Sequence, residues 1–307
     1  MENVSSLIQF YKQFANEQAC IDYLASERWG NNPTCPRCST VCVKLYKLAS
    51  GKLKCATCRQ AFSVRVGTIF EDSKIELQKW LLAIYLATSL KKGISSIQLS
   101  KYLEVTQKTA WFMLSRIRFV FEHGDGQLTG EVEVDETYVG GAEKNKHTSR
   151  RTAKTQGRST KTKTSVVGIA QRKGEVRAKV IVDTKRITLM TVIREHINIE
   201  ATIYTDEYRS YNSLSNEGYN HQQVNHGAKQ YVSGRASTNQ AENFWSHLQR
   251  GIDGIYLHVS PKHLQLYCNE YMYRYNTREL DDGERFNMWF RFIVGKRLSY
   301  QKLISKH

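Results

Sequence analysis

Two cysteine pairs constrain the fold of this chain more than any other stretch. Cys35-Pro36-Arg37-Cys38 and Cys55-Ala56-Thr57-Cys58 stand sixteen residues apart, and each C-x-x-C turn aims two thiolates at one point. Four thiolates from two such turns close a tetrahedral shell around one ion and leave no open position for chemistry. The spacing therefore predicts structural Zn²⁺ held by Cys35, Cys38, Cys55 and Cys58 in a zinc ribbon over residues 31–70. Cys42 lies inside the intervening loop and has no partner at knuckle spacing, and Cys20 reads as a buried thiol. Seven cysteines, an odd number, argue against a secreted disulfide framework.

The segments around the ribbon read as helical. Over 1–30, Leu7, Phe10 and Phe14 recur at helical spacing, and Cys20, Tyr23 and Leu24 repeat the pattern. Over 71–124 the periodicity predicts one helix at 80–90 that ends near Gly93, a second at 94–103, and a third capped by Thr106. In the third, Ala110, Met113, Leu114, Ile117 and Phe121 form an apolar face, which leaves Gln107, Lys108, Thr109, Phe112 and Arg116 outward. Two short helices, a tight turn and polar residues opening the second make a helix-turn-helix pattern, whose second helix can enter a major groove. Helical hairpins that bind nothing share that pattern, but the charge favours DNA. The chain carries a formal net charge of +16 and a pI near 9.5, which points to a polyanionic partner. Arg37, Lys44, Lys47, Lys52, Lys54 and Arg59 surround the knuckles. No apolar run approaches a membrane span and the amino terminus has no signal-peptide pattern, so an intracellular, nucleoid-associated location is expected, with no membrane partner.

At 307 residues the chain has room for more than one domain. After a glycine-rich linker at 124–130, the run Glu131-Val132-Glu133-Val134-Asp135-Glu136-Thr137-Tyr138 alternates as a strand does. Val132 and Val134 can be buried on one face while Glu131, Glu133 and Asp135 share the other, with Asp135 at the strand's end. Residues 144–163 hold eight lysines or arginines and no acid, a solvated loop or one that meets phosphate, with Arg150 and Arg151 as candidates. Strands follow at 164–170 and 176–183 around the turn Arg172-Lys173-Gly174, then a helix at 187–197 and a strand at 201–205 leading to Asp206. In a helix from Asn239, Ala241, Phe244 and Leu248 fall on one side, whereas Glu242, Ser246 and Gln249 line another. Ser260-Pro261 reads as a capped start of a further helix. This order gives an α+β multidomain chain: a zinc ribbon and helix-turn-helix, then an α/β ribonuclease-H-like domain with a mixed sheet over 125–282, and a helical segment at 283–307.

Two strand-end aspartates and one helical glutamate have the chemistry to hold hard divalent cations. Two such ions roughly 3.5–4 Å apart can clamp the attacking and leaving oxygens of a phosphodiester.

With those residues in place, the chain resembles the insertion-sequence transposases that carry an amino-terminal zinc ribbon and a DDE catalytic domain, the insertion sequence fifteen-ninety-five group. The resemblance runs through Arg28-Trp29, the knuckles, Cys58-Arg59-Gln60-Ala61-Phe62-Ser63 and Gly67-Thr68. It continues through Val134-Asp135-Glu136-Thr137-Tyr138-Val139-Gly140-Gly141, Thr205-Asp206, and Thr238-Asn239 with Glu242 and Trp245. It ends through His263-Leu264, Tyr267, Glu270, Tyr273-Arg274 and Asn276. It implies that Asp135, Asp206 and Glu242 bind catalytic Mg²⁺ or Mn²⁺, with Asn239 the competitor to Glu242 as third ligand. It also implies phosphodiester hydrolysis and transesterification on transposon terminal inverted repeats and target DNA, by a homo-oligomer assembled on DNA. The chain departs from the group at Ser237, where a histidine is usual, and at Gln249, where a lysine is usual; Arg250 can supply the missing charge. Those departures keep a second expectation open, a catalytically inactive zinc-ribbon and helix-turn-helix DNA-binding protein derived from a transposase.

Overall fold

Short capped helices and one small sheet make up the first of two units in a computed structural model of the chain, which describes residues 4–42, 44–48, 52–122, 126–141, 146–152, 161–224 and 237–305. Helix α1 (Leu7–Gln13) starts at Ser6 and α2 (Glu17–Trp29) at Asn16, each side chain accepting an orphan amide of its own first turn. Strands β1 (Leu45–Lys47), β2 (Leu53–Cys55) and β3 (Ala61–Phe62) then form an antiparallel sheet in that order. Helix α3 (Leu77–Ser89) is buried on most sides, as its nearly unbroken apolar sequence requires.

The third and second helices of the expected trio meet through a tight turn. Helix α4 (Ser96–Leu103) is capped by Ser95, and Glu104 takes a left-handed conformation at φ 51° to end it. Helix α5 (Gln107–Val120) starts where Thr106 Oγ1 accepts the Thr109 amide. One residue of the expected outward face turns in. Arg116 is 7% exposed, and its guanidinium donates to the carbonyls of Leu298, Ile69 and Glu71 at 3.0, 2.6 and 3.3 Å. Its long stem reaches round the helix to these three carbonyls, so the side chain is committed to structure and not to phosphate.

The second unit, Gly124–Thr277, is built on a five-stranded mixed sheet. It comprises β4 (Glu131–Val139), β5 (Thr164–Gln171), β6 (Val176–Ile181), β7 (Thr202–Thr205) and β8 (Asn220–Gln223), in the order β6-β5-β4-β7-β8. The pairs β6–β5 and β5–β4 are antiparallel, and β4–β7 and β7–β8 parallel. Helix α6 (Arg186–His196) packs Leu189, Met190 and Ile193 against Val132, Val134, Val167 and Ile169 on one face. On the other face α7 (Asn239–Gly251) and α8 (Leu264–Asn276) cover Val139, Val166, Ala170 and Val176.

Three sequence expectations need correction here. Asp135 does not end its strand: β4 runs on to Val139, paired with β5, and only the parallel partner β7 stops short. Strand β8 was not foreseen, because Asn220-His221-Gln222-Gln223 has no apolar alternation; as an edge strand it needs little. Ser260 makes no capping bond; Pro261 opens a single 3-10 turn, Pro261–His263, that leads into α8.

Residues 278–307 belong with the first unit. Helix α9 (Asp282–Phe290) opens with a capping box between Asp281 and Glu284, and α10 (Tyr300–Ile304) follows. Phe286 stacks on Tyr23 at 5.9 Å, the Tyr23 hydroxyl donates to Asn287 at 2.9 Å, and Trp289 Nε1 donates to the Ile117 carbonyl at 3.4 Å. The aromatic tail thus completes the core of the amino-terminal helices. Among the described residues no helix is long and apolar enough to cross a membrane.

Candidate active site and zinc centre

The four knuckle cysteines converge as their spacing predicts, with sulfur atoms all within 4.8 Å of one another. Cys35 and Cys58 Sγ lie 3.7 Å apart and Cys38 and Cys55 Sγ 3.9 Å. A Zn–S bond near 2.3 Å places two ligands of a tetrahedron roughly 3.8 Å apart, so the set fits structural zinc. Cys42 is a fifth, buried thiol, and donates to Cys55 Sγ at 3.6 Å. Burial, with the neighbouring thiolates beside it, pushes Cys42 up to about 11. The side chain of Lys47 lies outside what the structure describes.

In the second unit, strand pairing and one helix bring the candidate carboxylates to one place. The parallel ladder ends at Glu133↔Tyr204, and Asp206, directly after β7, stands near enough for its charge to act on Asp135. Asp206 Oδ1 accepts the Tyr208 amide at 2.9 Å. Glu242 lies exposed in the first turn of α7, where Thr238 Oγ1 donates to it at 3.3 Å, and Asn239, also exposed, stands three residues earlier on the same side. Burial raises Asp135 from its ordinary value to about 6, and the charges of Asp206 and Glu242 add to the rise. Asp206 and Glu242 therefore lie within electrostatic reach of the largely buried Asp135. Among the described residues the cysteines are the cluster whose ligand atoms all fall within 4.8 Å; the carboxylates form a wider, more open set.

Trp245 holds Asp135. Its Nε1 donates to Asp135 Oδ2 at 3.1 Å, and the indole can lie on the sheet because residue 168, directly opposite Asp135 on β5, is glycine. A Cβ at Gly168 would stand 2.4 Å from the Trp245 ring. In the sequence Trp245 stands three residues after Glu242 with nothing local to give it a task. A glycine inside an otherwise apolar strand was the available signal for a close approach.

Glu133 was also underread. Alternation puts it on the face of Asp135, yet it is 2% exposed, an unusual state for a carboxylate. It accepts from Arg172 Nε at 3.1 Å, from Ser237 Oγ at 3.2 Å and from the amides of Gln240 and Ala241 at 2.8 and 3.3 Å. Nothing in its own neighbourhood of sequence announces partners more than one hundred residues away.

The candidate DNA contacts divide. Gln107 and Lys108 are exposed at the start of α5, where Gln107 donates to Ser96 Oγ at 2.8 Å and Lys108 Nζ lies 5.1 Å from the centre of the Tyr300 ring. Thr109 shares a hydroxyl bond with Thr106 at 2.9 Å. Arg151 and Arg250 are exposed. The Arg150 side chain lies outside the described residues, as do 144–145 and 153–160 of the basic run. Tyr300 beside α5 had no sequence signal.

Comparison with known proteins agrees with this layout. Residues 127–276 match the family described as ISXO2-like transposase domain, and residues 15–61 match the transposase zinc-ribbon domain. An uncharacterised protein in transposable element ISH50 of Halobacterium salinarum is 32% identical over 253 residues, covering 78% of this chain and 84% of that protein. An uncharacterised transposase-like protein of Haemophilus influenzae is 29% identical over 108 residues, 35% of this chain and 86% of its own length. The chain therefore belongs to the insertion-sequence transposases in which a zinc-ribbon domain precedes an ISXO2-like transposase domain.

Proposed function

We propose that this transposase cuts and joins DNA at a divalent-metal site formed by Asp135, Asp206 and either Glu242 or Asn239. The observation that carries the reading is the clustering of like charge around Asp135, which only a cation or a proton relieves. Hard carboxylate oxygens are the donors that Mg²⁺ or Mn²⁺ takes. When bound, two such ions supply Lewis-acid stabilisation to the attacking and leaving oxygens of a phosphodiester. The chain's own residues do the rest: Trp245 orients the Asp135 carboxylate, the Tyr208 amide orients Asp206, and Arg250 neutralises a phosphate alongside α7. No side-chain nucleophile is needed, since water and then a 3′-hydroxyl can attack in turn.

In the same reading the zinc ribbon and the α4–α5 hairpin recognise terminal inverted repeats, with Gln107, Lys108 and Thr109 towards the groove and Arg150 and Arg151 on phosphate. Arg116 has no part in it. The protein works on DNA as a homo-oligomer in the cytoplasm, and its binding weakens steeply with salt.

The test is a cleavage and strand-transfer assay on an end-containing duplex with Mg²⁺. Asp135→Asn and Asp206→Asn should each lose about 10³-fold or more, on the order of 4 kcal/mol of barrier, while retaining end binding. Equal cutting by either variant overturns the assignment. DNA binding without any cleavage by the unaltered protein favours the inactive binder instead.

A further inference from the structure

We propose that Glu133 is a positioning residue for the carboxylate site: it docks the first turn of α7 on the sheet and so sets where Asn239 and Glu242 stand relative to Asp135. The inference rests on the reading of those side chains as metal ligands.

A helix normally satisfies its first amides from its own capping residue, as Ser6, Asn16, Ser95, Thr106, Asp281 and Ser299 do elsewhere in this chain. Helices α3, α6 and α8 have no such cap, and neither does α7: its capping position, Thr238, makes no such bond and turns its hydroxyl to Glu242 Oε1. The cap is supplied across space by Glu133 Oε2, which accepts the amides of Gln240 and Ala241. A buried negative charge at the positive end of the helix is favourable there and fixes the helix end to one strand position.

The other carboxylate oxygen extends the connection. Arg172 donates to Glu133 Oε1 and, through a second nitrogen, to Ser237 Oγ at 3.1 Å and the Ser237 carbonyl at 3.3 Å. Its guanidinium stacks 4.0 Å from the Tyr204 ring centre and lies 3.5 Å from Glu131 Oε2, and the Tyr204 hydroxyl donates to Glu131 Oε1 at 2.8 Å. Glu133 precedes Asp135 by two residues on β4, Tyr204 precedes Asp206 by two on β7, and Ser237, Gln240 and Ala241 bracket Asn239 and ready Glu242 on α7. One network, a step below the candidate ligands, thus grips each of the three segments that carry them. A buried ion pair kept for stability alone has no reason to choose those three, since apolar residues of similar volume commonly serve as well. Ser237 is a working member of the network, donating to Glu133 Oε1 and accepting from Arg172.

Glu133→Gln in the full chain keeps the shape and an acceptor for the amides but removes the charge. It should accelerate amide hydrogen exchange in the first turn of α7 while leaving β5 and β6 protected. Mn²⁺ binding read by electron paramagnetic resonance should weaken about tenfold or more, the range seen when partners of metal ligands are lost. The Mg²⁺ concentration for half-maximal cleavage should rise in step, with the half-saturating concentration of end DNA unchanged. A folded, zinc-replete Glu133→Gln protein with unaltered exchange, Mn²⁺ affinity and Mg²⁺ requirement overturns the proposal. Should that variant fail to fold, Ser237→Ala removes one bond of the network and is expected to shift Mn²⁺ affinity about threefold; an unshifted value overturns the proposal equally. The underlying reading fails in a different way: Asp135→Asn then cuts like the unaltered protein, and the proposal falls with it. Inactive Asp135→Asn beside fully normal Glu133→Gln condemns the positioning role alone.

Discussion

The zinc ribbon and the carboxylate cluster are both small polar sites, yet they are assembled by opposite routes. Cys35, Cys38, Cys55 and Cys58 come from two local turns, their sulfurs closing on one another within 4.8 Å. Asp135 comes from β4, Asp206 from the end of the parallel β7 and Glu242 from α7; Asp206 and Glu242 have local hydrogen-bond partners, whereas Asp135 is held by Trp245 from another element. Filling the first site contributes folding energy directly, because a structural metal binds the folded ribbon and not the open chain. The second site opposes folding: an acid raised to about 6 by burial and by neighbouring acids records like charges brought together at a cost. The contrast separates a site that stabilises from a site that the rest of the unit must stabilise, through Trp245, Gly168 and Glu133.

The sharpest way to break that contrast is to remove zinc. Structural zinc carries an apparent binding free energy on the order of 10 kcal/mol, so chelation should abolish hydrogen-exchange protection over β1–β3 and reduce end-DNA affinity about a hundredfold. Protection of β4 and β5 should persist. Loss of protection in both units together would deny that the two sites are independently supported.

A smaller effect is expected at the carboxylate site from Gly168→Ala. The added Cβ would meet the indole at 2.4 Å, and overpacking of that kind costs about 1–3 kcal/mol. Thermal unfolding should register it, and cleavage should fall about tenfold as Trp245 releases Asp135. The zinc content should stay the same.

The smallest effect is a dependence on pH. Asp135 has a folded value above its unfolded one, so the metal-free fold binds the extra proton and loses stability as pH rises from about 4 through 6. The loss is on the order of 1–2 kcal/mol once solvent screening at the open side is allowed for. Asp135→Asn should abolish this slope and leave the metal-free protein more stable at pH 7 than the unaltered chain, and Mg²⁺ should stabilise the latter only. A flat profile in denaturant titrations at pH 4.5 and 7 would remove the account of Asp135 as a buried acid with like charges beside it.

Legibility in the sequence followed the distance between partners. Thr106 as a cap, the turn at Arg172-Lys173-Gly174 and the apolar face of α7 all depend on residues a few positions apart, and all stand where their local pattern put them. Arg116 was misjudged because helical phase sorts side chains by where they leave the backbone, whereas a guanidinium on a long stem ends where acceptors are, here at Leu298, Ile69 and Glu71. Strand β8 escaped notice because an edge strand needs backbone partners rather than apolar side chains. The sequence of 285–306 is aromatic and basic, but nothing in it says that Phe286, Trp289 and Tyr300 return to the first unit.

By itself the order of residues determined the zinc knuckles, the family and the types of side chain available for metal chemistry, since those depend on spacing and donor type. Tertiary structure alone decided which acid meets an indole beside two other acids and which is consumed as a cap. Glu133 and Asp135 are indistinguishable by alternation on one strand, and they differ because α7 begins over the first while Trp245 reaches the second. Burial and hydrogen-bond partners set what a carboxylate can do, and both are properties of the packed chain.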